Sequence, residues 1–262
     1  MAVLGIITCE ILELEFAQLL REDTEVRRIS ILQDAHSAHL IEQLQVQHEP
    51  RLHCLPHPHA FIPEPDGSLE VLVRVLAMGL HRNRRVLRDA LAKSAQAMYS
   101  SIDALLLGYG LCGGALEDTS SQLDVDVPIF QPMDIDHPMD DCVALCLGGR
   151  ERYYSEQCKT AGTYFLTPGW SRHWRRMLDS DSDELSQPGL KRLLSGYERA
   201  LLVQTPVLAN DEMQRRGDVF RQLTGLQLEI QEGTLTPLTE AWNAAKQALR
   251  EQTLLNTTGG SG

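Results

Sequence analysis

An α/β fold, with a mostly parallel sheet, flanking helices and a helical lobe or insertion, is what the sequence predicts. Short apolar runs rich in β-branched residues recur along the chain, amphipathic stretches of helical period stand between them, and glycine turns close several of the runs. Val3 to Thr8 opens the series as a strand, and Glu10 to Arg21 follows as a helix with Ile11, Leu12, Leu14, Phe16, Leu19 and Leu20 on its apolar side, so Cys9 falls at the join. Arg28 to Leu32 reads as a second strand and His36 to Gln47 as a second helix.

The stretch Arg51 to Gly67 is crowded with proline and histidine and predicts a loop. Beyond it, apolar residues from Leu72 to Leu91 fit a long helix over Ser68 to about Ser100, broken or faced by the basic run His81 to Arg88. Ile102 to Leu107 is a buried strand that ends in Gly-Tyr-Gly-Leu-Cys-Gly-Gly, and Val127 to Phe130 is a further short strand. Cys142 then opens an apolar helix. Residues 151–195 are rich in aromatics and charge and predict a helical lobe or lid, with Gly162 to Leu166 as its one strand-like run. Arg199 to Gln204 and Gln227 to Ile230 are strands, with a helix over Asn210 to Thr224 between them. The last helix starts at Pro237 and places Leu238, Trp242, Ala245 and Leu249 along one face. Residues 1–258 are expected to form one α/β domain, and 259–262, Gly-Gly-Ser-Gly, look like a linker remnant.

The 24 basic and 36 acidic residues give a net charge of −12, which repels phosphate backbones and anionic membrane surfaces. Nucleic acid and membrane are therefore not expected as partners. No apolar stretch is long enough to span a bilayer and no leader pattern precedes the first strand, so a cytoplasmic protein is expected. In that compartment six cysteines are more often thiols, ligands or catalytic groups than disulfides.

In a parallel sheet, ligands gather beyond the carboxyl ends of the strands. Cys9 and Cys112 each follow a strand, and Cys142 follows a third at the head of a helix, where a thiolate is favoured by the helix end. The three are expected to meet in one metal-binding or redox-active site. Gly108, Gly110 and Gly113 around Cys112 allow close backbone approach to a cofactor. Their Gly-x-Gly-x-x-Gly spacing lacks the apolar helix that a dinucleotide site requires. Cys54, Cys146 and Cys158 are expected to be buried structural thiols, with Cys146 a possible extra thiol beside Cys142. His53 is a candidate fourth ligand, proton donor or substrate contact. Asp141 can orient a ligand, and Glu10 and Tyr164 are candidate acids or bases. Arg150 and Arg152 are candidates for binding a carboxylate or phosphate, with Thr167 beside them.

Four runs, ITCEIL (Ile7 to Leu12), LLLGYGLCGGAL (Leu105 to Leu116), DCVALCLGGRERY (Asp141 to Tyr153) and GTYFLTPGW (Gly162 to Trp170), resemble the motifs of the family called domain of unknown function 1638. The resemblance implies that Cys9, Cys112 and Cys142 are the family's motif cysteines and that Tyr164, Thr167, Gly169 and Trp170 belong to a motif. It also implies an association with organisms that use corrinoid-dependent methyl transfer. Pro138, Met139 and Asp140 stand where a basic residue or histidine would be expected before the Asp-Cys pair. The leading expectation is an enzyme whose three cysteines hold a [4Fe-4S] iron–sulfur cluster with an open coordination position, acting as a lyase or a sulfur or methyl transferase on a small anionic metabolite. The alternatives are a zinc thiolate enzyme for thiol alkyl transfer and a non-enzymatic partner or metal-delivery protein for a corrinoid methyltransferase system.

Overall fold

The computed structural model describes residues 2–116, 123–178 and 187–258, with side chains up to 255; the expected linker remnant lies outside these residues. Six parallel strands form the main sheet: β1 (Ala2–Cys9), β2 (Val26–Leu32), β3 (Leu52–Leu55), β4 (Leu69–Leu76), β5 (Ala104–Gly108) and β6 (Ile129–Phe130), in the order β3-β2-β4-β1-β5-β6. Helices α1 (Glu13–Glu22), α2 (Ala38–Val46) and α3 (Arg84–Met98) make the crossovers. The inner strands β4, β1 and β5 are buried on both faces, which is why their sequences are continuous apolar runs rather than alternating ones.

Chain direction reverses around β1. The chain leaves β1 toward β2 and β3, returns to insert β4 between β2 and β1, and then passes across to β5. Thr8 is level with Val75 and Gly108, so β1, β4 and β5 end together and their following loops share one edge. Such a switch point leaves a crevice that side chains from several loops can line.

A second parallel sheet, in the order β11-β10-β9, is built from β9 (Thr163–Leu166), β10 (Arg199–Gln204) and β11 (Gln227–Glu232). Between the sheets lie a two-stranded antiparallel ribbon, β7 (Met133–Asp134) with β8 (His137–Pro138), and the helices α4 (Cys142–Leu147) and α5 (Arg150–Lys159). Helices α6 (Pro168–Leu178), α7 (Gln187–Leu193) and α8 (Asn210–Thr224) belong to the second sheet's part of the chain. The final helix α9 (Thr236–Thr258) crosses back to cover β1 and β5. Its buried Leu238, Trp242, Ala245 and Leu249 are the face expected from sequence, and they join one apolar cluster with Leu4, Ile6 and Leu106 of the first sheet and Val203 of the second.

Two expectations change. The long helix over 68–100 is instead strand β4, a short 3-10 turn at Met78–Arg82, and then α3, whose start is capped by Asn83. Leu72, Val73, Val75 and Leu76 satisfy a helical period, but they lie in a strand inserted between β2 and β1, where all four pair with β1 and Leu72 and Val73 pair with β2 as well. The loop over 51–67 contains the edge strand β3. Residues 151–178 carry α5, β9 and α6; β9 is the strand-like run expected at 162–166, and it forms an edge of the second sheet.

Among the described residues, no helix is long and apolar enough to cross a membrane.

Candidate functional site

At the shared carboxyl edge, a cavity of about 230 Å³ is lined by Cys9, Tyr109, Gly110, Cys112, Cys142 and Trp170, with Gly108, Gly113, His81 and Asp141 also in its wall. The three cysteines predicted to converge thus surround one space. Each arrives by a different local device. Cys9 is the last residue of β1, and a 3-10 turn follows it immediately.

Cys112 rides on the glycine turn after β5, pinned by Leu111 N–H donating to Met139 O (2.7 Å) and Cys112 N–H to Asp140 O (2.9 Å). Its φ is +46°, the left-handed region that a residue with a Cβ enters only when its surroundings compel it. Gly110 lets the two segments approach: a Cβ there would stand 2.6 Å from Met139 O and 2.7 Å from Asp141 N. At Gly108 a Cβ would collide with the Phe16 ring and Thr8 Oγ1. Cys142 begins α4, where the Asp141 carboxylate caps the helix by accepting from Val143 and Ala144 N–H, both at 2.8 Å. Trp170 Nε1–H reaches Cys142 Sγ at 3.4 Å.

The electrostatics correct one expectation. The start of α4 does not depress the Cys142 thiol. Burial pushes it well above its ordinary value, and Asp141 and the neighbouring Cys9 and Cys112 add to the effect. Burial likewise pushes Cys9 up to about 12 and, helped by the charge of Cys9, Cys112 up to about 12. Desolvation therefore outweighs the dipole of a helix only six residues long. Without a cation the three groups stay protonated at neutral pH, so they are poor nucleophiles. The buried Tyr109 hydroxyl lies beside the Cys9 thiol, and burial, with the neighbouring thiols adding to it, raises it well above its ordinary pKa.

A second, more open cavity of about 560 Å³ adjoins the first and shares Asp141, Val143 and Trp170 with it. Tyr153, Tyr164, Phe165 and Tyr197 give it aromatic walls. The Tyr164 hydroxyl is buried and unpartnered, and burial raises the Asp141 carboxyl above its ordinary range despite its two helix-capping bonds.

The other candidates lie elsewhere. Glu10 is buried beside the site but occupied, accepting from Met78 N–H (3.2 Å) and pairing with Arg176 (2.9 Å). His53 is on β3, at the opposite edge of the sheet order from β5, and does not line the cavity. Arg150 is paired with Asp140 at 2.5 Å, and Arg152 donates to Glu232 O at 2.6 Å. Neither lines a wall of the two cavities. Thr167 caps α6, its Oγ1 accepting from Trp170 N–H at 3.4 Å with Pro168 at the first helical position. Cys146 faces Glu15 rather than the cavity, whereas Cys54 and Cys158 are exposed and not buried as expected.

One group escaped the sequence reading. One ligand atom from each of Glu13, His39 and His173 lies within 4.8 Å of the other two, and among the described residues no other set of histidine, cysteine and acidic side chains is so tightly gathered. The three cavity thiols are not all gathered within this distance. Glu13 and the histidines are 26 and 160 residues apart in the chain, so no local spacing could have announced them.

A family model described as protein of unknown function, DUF1638, matches residues 75–242. No curated protein matches the chain.

Proposed function

The chain belongs to the DUF1638 family, and from that footing we propose that it is a metal-dependent enzyme whose Cys9, Cys112 and Cys142 hold an iron–sulfur cluster. One observation carries the reading: three thiols, one at the end of β1, one beyond the end of β5 and one at the start of α4, line a single cavity, one of them on a backbone held at φ +46°. Strain of that kind persists where the surroundings fix it for a purpose. The donor set fits a cluster, since three soft thiolates suit iron–sulfur binding and the glycines at 108, 110 and 113 in the cavity wall allow close backbone approach. Trp170 Nε1–H is a donor to Cys142 Sγ. A single zinc ion, with Zn–S bonds of about 2.3 Å, would gather three sulfurs to within roughly 4 Å of one another, and the three thiols here are not all within 4.8 Å of each other. Cluster ligands bind separate irons and need no such crowding.

When bound by three protein thiolates, a [4Fe-4S] cluster leaves one iron free to bind and polarise a substrate oxygen. The aromatic cavity is then the substrate chamber, with the planar parts of a small metabolite packed against Tyr153, Tyr164 and Trp170. No arginine or lysine lines either cavity among the described residues, and His81 in the wall of the thiol cavity is the basic side chain placed to meet an anionic group. Asp141 borders both spaces, and its raised pKa equips it to hold a proton between them. The reaction class that follows is a lyase or a group transfer on a small metabolite.

Protein purified without oxygen should carry iron and acid-labile sulfide in matching amounts, with visible charge-transfer absorption. Stoichiometric zinc in a sulfur shell would replace this reading with the thiol-alkylating zinc enzyme.

A further inference from the structure

We propose that Glu13, His39 and His173 form a second metal site, separate from the thiol cavity, which takes zinc or a divalent ion of similar softness and ties the two sheets together. The residues come from the start of α1, from α2 and from α6. The first two helices pack on the main sheet, and α6 directly follows β9 of the second. All three side chains are buried, Glu13 completely.

Both imidazoles aim at the same carboxylate oxygen. His173 Nε2 lies 2.7 Å from Glu13 Oε1, and His39 Nδ1 contacts that atom too. Glu13 Oε2, equally buried, has no hydrogen-bond partner. Two imidazole N–H groups donating to one oxygen would explain the convergence but would leave that second oxygen stranded, and a buried carboxylate oxygen without a partner is what a well-satisfied network avoids. A cation bound by both oxygens and both imidazoles uses all four donors. Two nitrogens and a carboxylate suit zinc and its neighbours in the first transition row.

The surrounding groups can orient such ligands. The Gln43 amide lies 3.0 Å from His39 Nε2. With its oxygen turned inward it accepts the proton that Nε2 carries once Nδ1 binds metal. Arg176 approaches His173 Nδ1 at 3.4 Å, a long contact that gives way when Nδ1 takes the proton, and it keeps its pair with Glu10. None of the three ligands lines the thiol cavity. The closed setting, with every donor from protein, marks a structural site rather than a catalytic one.

The test uses full-length chain carrying Cys112→Ala, so that zinc bound by the thiols does not confuse the count. After chelation and dialysis, titration with Zn²⁺ alone should show one ion per chain and raise the unfolding temperature. X-ray absorption at the zinc edge should give nitrogen and oxygen neighbours at about 2.0–2.1 Å and no sulfur at about 2.3 Å. Adding His173→Ala should weaken binding at least about 100-fold, and Gln43→Ala about 10- to 100-fold with the fold kept. Absence of stoichiometric zinc, a sulfur shell, or unchanged affinity in the His173→Ala chain would overturn the site. Each of these outcomes is independent of whether the wild-type thiols hold iron.

Discussion

Cys112 holds a left-handed backbone conformation, at φ +46°, in the wall of the thiol cavity. A side chain in the left-handed region costs roughly 1–2 kcal/mol, which glycine would avoid, and glycines already stand on its C-terminal side at 113 and 114. We therefore expect an inversion of the usual order in metal-free protein: Cys112→Gly should be more stable than Cys112→Ala by about 1 kcal/mol in urea unfolding. Both lose the thiol, so the comparison isolates backbone strain. An alanine variant as stable as the glycine variant would mean that the backbone relaxes there at no cost. The positions of Cys9 and Cys112 were legible because topology, not side-chain packing, places the ends of β1 and β5 together, whereas Cys142 reaches the same cavity from the start of α4. The raised pKa values of the three were not legible, since sequence shows the helix start at Cys142 but not the depth of burial that outweighs it. Arg150 and Arg152 misled for a related reason: a charge pattern shows what is available for binding, whereas pairing with Asp140 and Glu232 O is set by the fold.

Among the elements, the short helices and turns at the sheet edge depend on long-range ties. The end of α1 is fastened to α9 through Asp23, whose carboxylate accepts from Trp242 Nε1 (2.7 Å) and pairs with Lys246 Nζ (2.5 Å). Burial works against ionisation of Asp23, but the bonds from Lys246 and Trp242 outweigh it and hold the carboxyl below its ordinary range. A depressed folded-state pKa contributes stability above the unfolded value, about 3.9, and loses it as pH falls through the folded value. Asp23→Asn should thus cost about 1–3 kcal/mol near neutrality, and the gap between variant and wild type should close below about pH 4. A gap that stays constant into acid would show that the ionised carboxylate is not the source. Element type was readable where a run had one interpretation, as in β1, β5 and α9. It failed for β4, whose apolar positions fit both periods and whose identity is decided by the partners on either side. It failed also for β3, which is four residues long and mostly exposed.

At the scale of the whole molecule, two parallel sheets share one apolar cluster through α9 and Val203. The sequence announces β9, β10 and β11 as strands but cannot say that they pair with each other instead of extending the first sheet, because parallel pairing is decided by crossovers and not by local pattern. The same limit hid the group formed by Glu13, His39 and His173, which exists only once α6 is laid against α1 and α2. The thiol cavity lies at the switch point of the main sheet, and its aromatic neighbour draws its walls from α5 and β9 of the later chain. That arrangement sets the two cavities side by side, with Asp141, Val143 and Trp170 lining both. It also explains why residues from all four family-like motifs gather near one edge.

The most direct test of the account is the iron content per chain after anaerobic reconstitution, compared across wild type, Cys9→Ala, Cys112→Ala, Cys142→Ala and Cys158→Ala. About four irons are expected in wild type and in Cys158→Ala, whose altered thiol is exposed and remote from the cavity, with most of the iron lost in each of the other three. Wild-type protein that takes up no stoichiometric iron, or full iron in any one of those three variants, would contradict a cluster held jointly by the three cavity thiols.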